Sequence, residues 1–109
     1  MAGVEVVIEF NHLQRISQAA AEKAALAVAK ATHDVEAQAK ATVPMDTGAL
    51  KNSITSTVSG LSGEVAPHTE YALYVEAGTR KMAARPYMRP AAEKVRPLFL
   101  KAMAEIVKG

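Results

Sequence analysis

Three short strings in the second half of this 109-residue chain hold the residue types that could do chemistry. The first is Asp46-Thr47-Gly48. An aspartate in that triplet suits aspartic-protease chemistry, where two carboxylates share one proton because like charges so close cannot both ionise. A chain this short with one such triplet would act as a homodimer. The context points elsewhere. In those enzymes the triplet follows an apolar strand, whereas here it follows an Ala-rich stretch and Pro44. Asp accepts from nearby backbone N–H groups and Gly tolerates positive φ. Pro44, Asp46, Thr47 and Gly48 therefore read as a structural turn.

The second string runs Tyr71-Ala72-Leu73-Tyr74-Val75-Glu76-Ala77-Gly78-Thr79-Arg80, and the third Ala84-Arg85-Pro86-Tyr87-Met88-Arg89-Pro90-Ala91. A glutamate in an apolar, aromatic turn can cap backbone or pair with an arginine. The arginine can belong to the same chain or, as Arg85, to the next subunit. Arg suits either case because its planar fork meets a carboxylate with two bonds. Pro lowers the entropy of ordering an arm, and Tyr and Arg are enriched at interface hot spots. Glu76, Gly78, Thr79, Arg80, Arg85, Pro86, Tyr87 and Arg89 are thus the expected contacts between subunits or with a partner.

Other chemistries find little support. His12, His33 and His68 lack metal-site spacing. The absence of Cys excludes disulfides, thiolate chemistry and Cys-ligated zinc. No Gly-rich loop suggests a phosphate cradle. The reading is a non-enzyme with no catalytic, cofactor-binding or metal residues. Arg80, Lys81, Arg85, Arg89, Lys94, Arg96 and Lys101 face a single acid, Glu93, in that stretch. This is either a solvated basic face or a contact with phosphate or an acidic partner. A net charge of +2 is too mild to mark a nucleic-acid binder by itself, although a small basic nucleic-acid-binding protein remains an alternative. No apolar run approaches the ~20 residues of a bilayer span, and no signal peptide is visible, so no membrane role is expected.

Positioning these strings requires a frame. Val4, Val6, Ile8 and Phe10 alternate with Glu5, Val7 and Glu9, which predicts a half-buried strand. From His12 to Thr42 there is no Pro or Gly, and Ala dominates. Leu13, Ile16, Ala20, Ala24, Ala27, Ala31 and Val35 form one stripe, with Arg15, Glu22, His33, Glu36 and Lys40 opposite. Some 30 helical residues make a rod of roughly 45 Å. That is long for its core, so the rod either lies across its own sheet or also packs on a neighbouring subunit. Pro44 ends it. Ile54–Ser59 and Glu64–Pro67 predict two strands joined through Gly60-Leu61-Ser62-Gly63. Tyr71, Tyr74 and Val75 predict a helical turn stopped by Gly78, and residues 79–87 an extended arm. Pro90 opens a final helix carrying Val95, Leu98, Phe99, Ala102, Ile106 and Val107, with a kink or restart at Pro97. The expected fold is α+β: a small antiparallel sheet of about three strands, packed by a long N-terminal helix and a C-terminal helix. By length, residues 1–109 form a single domain. Half the residues are apolar, but many are Ala, with no Trp and two Phe. Small domains with thin cores often gain stability by association.

In order and spacing, the three strings resemble the small tail-component proteins of long-tailed bacteriophages, variously called tail-completion, head–tail joining or neck proteins. Pro44, Asp46, Thr47, Gly48, Leu50, Ser53 and Ile54 match the first part of that pattern. Tyr71, Tyr74, Val75, Glu76, Gly78 and Thr79 match the second, and Ala84, Arg85, Pro86, Tyr87, Pro90 and Ala91 the third. Ala77 stands where a bulky aromatic is common, and Tyr87 where Phe is common. The resemblance implies a structural virion protein, assembled in the host bacterial cytoplasm. It implies a ring, usually of six copies, at the head–tail junction, with DNA passing through it without sequence recognition. Its other partners would be a head-completion or adaptor protein and the tail tube or a tail-terminator protein.

Overall fold

Strand β1 spans Val6–Glu9, and its alternation holds: Val6 and Ile8 are half-buried while Val7 and Glu9 are exposed. The computed structural model describes residues 4–10, 17–44 and 48–108. The early part of the predicted first helix, including His12, Leu13, Arg15 and Ile16, lies outside them, as do Asp46 and Thr47.

Helix α1 spans Gln18–Thr42. Ser17 caps it, its side chain accepting from the Ala20 N–H at 3.1 Å. At the far end, extended Val43 precedes Pro44, as the steric demand of proline requires. The buried stripe is Ala24, Val28, Ala31, Thr32, Val35 and Ala39. It is rotated from the predicted one, with Val28, Thr32 and Ala39 inside and Ala20 and Ala27 at the margin. Glu36, expected on the solvent face, is half-buried and turns toward the sheet. It accepts from Lys40 at 2.8 Å and from the Ser56 hydroxyl, and these two bonds hold its carboxyl below the usual carboxylate range.

A short helix, α2 (Gly48–Ser53), is one that sequence patterning does not reveal. Its six residues are too few to show a period, and buried Leu50 pins it to the core. Strands β2 (Thr55–Ser59) and β3 (Ser62–Ala66) form a hairpin whose two-residue loop, Gly60-Leu61, is shorter than the predicted connection. Gly60 sits at φ +58°. The sheet order is β1-β3-β2, all antiparallel. At the inner position of β3, Gly63 lets α1 approach closely. A Cβ built there would lie 2.0 Å from the Thr32 Oγ1.

Helix α3 (Ala72–Ala77) ends at Gly78, and helix α4 spans Met88–Lys108 with Pro90 in its first turn. α4 continues unbroken through Pro97 where a kink or restart is predicted. An exposed proline there removes one backbone bond, while Val95 and Met103, both buried, hold the two halves of the helix. Of the apolar residues that α4 carries, Leu98 and Val107 stay 65% and 61% exposed. The principal extents are 51 × 22 × 20 Å and the radius of gyration is 15.4 Å. A compact chain of this length would have about 13 Å. The excess reflects the paired long helices α1 and α4 reaching beyond the sheet.

Candidate assembly interface

Glu76 is half-buried near the end of α3, and its side chain reaches eleven to thirteen residues along the chain. One carboxylate oxygen, Oε1, accepts from the backbone N–H groups of Tyr87 at 3.1 Å and Met88 at 2.9 Å. The other, Oε2, accepts from the Arg89 N–H at 3.0 Å. A helix start leaves its first N–H groups without internal partners and carries a partial positive charge. Glu76 satisfies both needs for α4. It is the N-terminal cap of that helix, supplied from another helix.

Between the two helices the chain makes a projecting arm, residues 79–86, every one of which is exposed. Its base is closed by the Arg85 N–H donating to the Val75 carbonyl at 2.8 Å. Its start is set by Gly78 at φ +79°, where a Cβ would meet the Ala84 nitrogen at 2.7 Å. A tight turn follows. The Thr79 N–H donates to the Met82 carbonyl at 2.8 Å, and the Thr79 hydroxyl accepts from the N–H groups of Lys81 at 3.2 Å and Met82 at 3.1 Å. The two central residues of that turn are Arg80 and Lys81. Backbone bonds therefore order the arm, and two cations sit at its tip.

Tyr87 ends the arm inside the protein. It has no exposed surface, and its hydroxyl donates to the Ala72 carbonyl at 3.1 Å. Burial, with the Glu76 charge and Tyr71 beside it, pushes the Tyr87 hydroxyl up to about 12. Unfolding returns it to the ordinary value of about 10. Between those values the unfolded chain releases a proton that the folded chain keeps, so Tyr87 opposes folding increasingly as pH rises. Denaturant titrations of the wild type should show stability constant from this group below pH 10 and falling from pH 10 to 12. Tyr87→Phe should lack that component.

The structure thus separates the expected contact residues. Arg80, Thr79, Pro86 and Arg85 lie on the exposed arm, Gly78 shapes its root, and Arg89 is exposed on the first turn of α4. Arg89 also meets Glu93 at 3.3 Å on the surface. Glu76 and Tyr87, expected at a partner, instead have their polar groups bonded within their own chain. The turn residues fare differently. Pro44 is half-buried after α1, Gly48 opens α2, and Asp46 and Thr47 fall outside the described residues. The stretch leading to Asp46 is helical through Thr42, not the apolar strand an aspartic protease places there. His68 ties the hairpin to α2. Its Nε2 lies 2.8 Å from the Thr55 hydroxyl, and its N–H donates to the Ser53 hydroxyl at 3.0 Å. Among the described residues, no group of three His, Asp or Glu is placed to hold a metal ion. No described helix is long and apolar enough to cross a membrane.

Two leucines of the long helices stay uncovered, which their residue type alone does not signal. Leu26 on α1 is 72% exposed. Leu98 on α4 stands at a groove against Ala27 and Ala31 of α1.

Residues 11–78, more than half of the chain, match the model of a family described as "Bacteriophage HK97-gp10, putative tail-component". The match ends at Gly78, the root of the arm. No curated protein and no solved structure matches the chain.

Proposed function

The chain belongs to the HK97 gp10-like family of phage tail components, and from that premise we propose that it is a non-enzymatic structural protein that forms a ring of six copies at the head–tail junction. A tail component resides in the virion. The finer placement rests on the molecule's surfaces. The observation that carries it is the arm: eight consecutive exposed residues, ordered from within by Gly78, Thr79 and Glu76. Such order limits the entropy lost when the segment meets a partner. The elongated pair α1–α4, with Leu26 and Leu98 uncovered, offers further apolar surface to neighbours. A head-completion or adaptor protein would meet one side of the ring and the tail tube or a tail-terminator protein the other. DNA would pass through the centre, and basic side chains such as Arg96 on α4 would meet its phosphates without reading sequence. Residues 1–109 act in this scheme as one domain, and Pro44, Asp46, Thr47 and Gly48 as its structural turn.

The test is direct. Purified particles should contain this chain, and a particle map should place it as a closed ring between capsid and tail. Its absence from purified particles would overturn the reading. Arg80→Ala with Lys81→Ala should leave thermal unfolding of the isolated subunit nearly unchanged, within about 0.5 kcal/mol as for exposed sites, while tailed particles fall severalfold. Equal loss of stability would instead mark the tip as an internal brace.

A further inference from the structure

Among the described residues, helices α1 and α4 cover one face of the sheet and no element packs on the other. Buried Val65 and Gly63 mark the inner face of β3, and their register partners on β1 are Val6 and Ile8. The alternate positions therefore point away from the helices. They present Glu5, Val7 and Glu9 at β1, Glu64 on β3 and Thr57 on β2, all exposed. A solvated sheet face ordinarily mixes charge signs. Among the described residues, this one carries three carboxylates and no Lys or Arg at any outward strand position. None of the three carboxylates has an ion pair or hydrogen-bonding side-chain partner there. The side chains of Arg80 and Lys81 at the arm tip also stand without one. The chain holds two unsatisfied surfaces of opposite sign, and it has not joined them to each other.

Resting on the self-assembly reading above, we infer that the basic arm tip of one copy docks on the acidic sheet face of the next. Arm and sheet face are different surfaces, so the contact is head-to-tail, the kind that closes into a ring when its rotation divides a full circle. Arg80 and Lys81 meet the carboxylates of Glu5, Glu9 and Glu64. Met82, 40% exposed beside the tip, meets Val7, 56% exposed among them. The charges set register and partner choice, and the apolar pair is desolvated between them.

Because the chain has no Cys, introduced thiols report without background. The full-length Val7→Cys, Met82→Cys double variant should give, on mild oxidation, a ladder of disulfide-linked multimers. Such a bond needs Cα atoms roughly 4.4–6.8 Å apart. Equal mixtures of the two single variants should give one cross-linked dimer, and Met82→Cys alone none. Arg80→Glu with Lys81→Glu should raise the concentration for half-association at least tenfold at low salt. Adding Glu9→Lys and Glu64→Lys to that chain should restore association. An intramolecular disulfide would place the arm on its own sheet and overturn the inference. So would an associating wild type whose double-cysteine variant yields no cross-link, which leaves self-assembly standing. A wild type that stays monomeric at millimolar concentration and shows no cross-link overturns the self-assembly reading along with this inference.

Discussion

Glu76→Ala should lower the thermal unfolding midpoint by roughly 15 °C. The substitution strips one carboxylate from three N–H groups, those of Tyr87, Met88 and Arg89, at 3.1, 2.9 and 3.0 Å. Hydrogen bonds to charged groups contribute about 1.5–3 kcal/mol each, and the three here share one acceptor and do not add. A single ordinary cap contributes about 1 kcal/mol. A loss of about 3 kcal/mol lies between these bounds, and each kcal/mol moves the midpoint of a domain this size by roughly 4–8 °C. Glu76→Gln keeps an acceptor oxygen but turns an NH2 toward at least one of the same donors, so it should recover only part of the loss. A second readout separates this role from generic packing. With the cap gone, the arm is released at its C-terminal end, and trypsin should cut after Arg80 and Lys81 at protein concentrations and temperatures where the wild type resists. Unchanged cleavage with a lowered midpoint would show that the carboxylate stabilises α4 but does not hold the arm.

Gly63→Ala should be nearly as damaging, by about 2–3 kcal/mol, through overpacking. The added Cβ would stand 2.0 Å from the Thr32 Oγ1, 3.0 Å from its Cβ and 3.1 Å from its Cγ2. Rotating the threonine does not relieve this, since both branches and the Cβ itself are close. Thr32 is fully buried, and its hydroxyl donates to the Val28 carbonyl at 2.7 Å, so α1 itself must move away from the sheet. Thr32→Ala removes two of the three offending atoms. In that background Gly63→Ala should lose at least 1 kcal/mol less than in the wild type, measured by urea unfolding. Simple additivity would mean that the helix shifts freely and that the close approach at Gly63 is not a constraint.

Much of this frame was legible. The period-two run at β1, the Ala-rich helix, the proline stop and the hairpin all follow from local chemistry that neighbours reinforce. The buried stripe of α1 is offset from the expected one because Ala is at home on either side of a helix. Only the sheet decides that Thr32 goes in, opposite a glycine. Helix α2 had no period to reveal it. At the site, the important residues were visible by type, but their partners were not. Glu76 was readable as a cap or an ion-pair member, and nothing local says that it meets backbone more than ten residues away. Tyr87 looked like an interface anchor because tyrosines often are. Its burial depends on where Ala72 lies in three dimensions. Gly78 is legible as a helix stop because positive φ is a local property, whereas Thr79, expected only as a contact on an extended arm, closes a turn with its hydroxyl.

The division of labour within the arm has a consequence for how such a protein can diversify. Main-chain atoms, Gly78 and the Thr79 hydroxyl hold the turn, and the side chains at positions 80 and 81 contribute nothing to holding it. Those two positions can be rewritten at almost no expense to the scaffold. New docking preferences could then arise on an unaltered chassis by exchanging a pair of side chains.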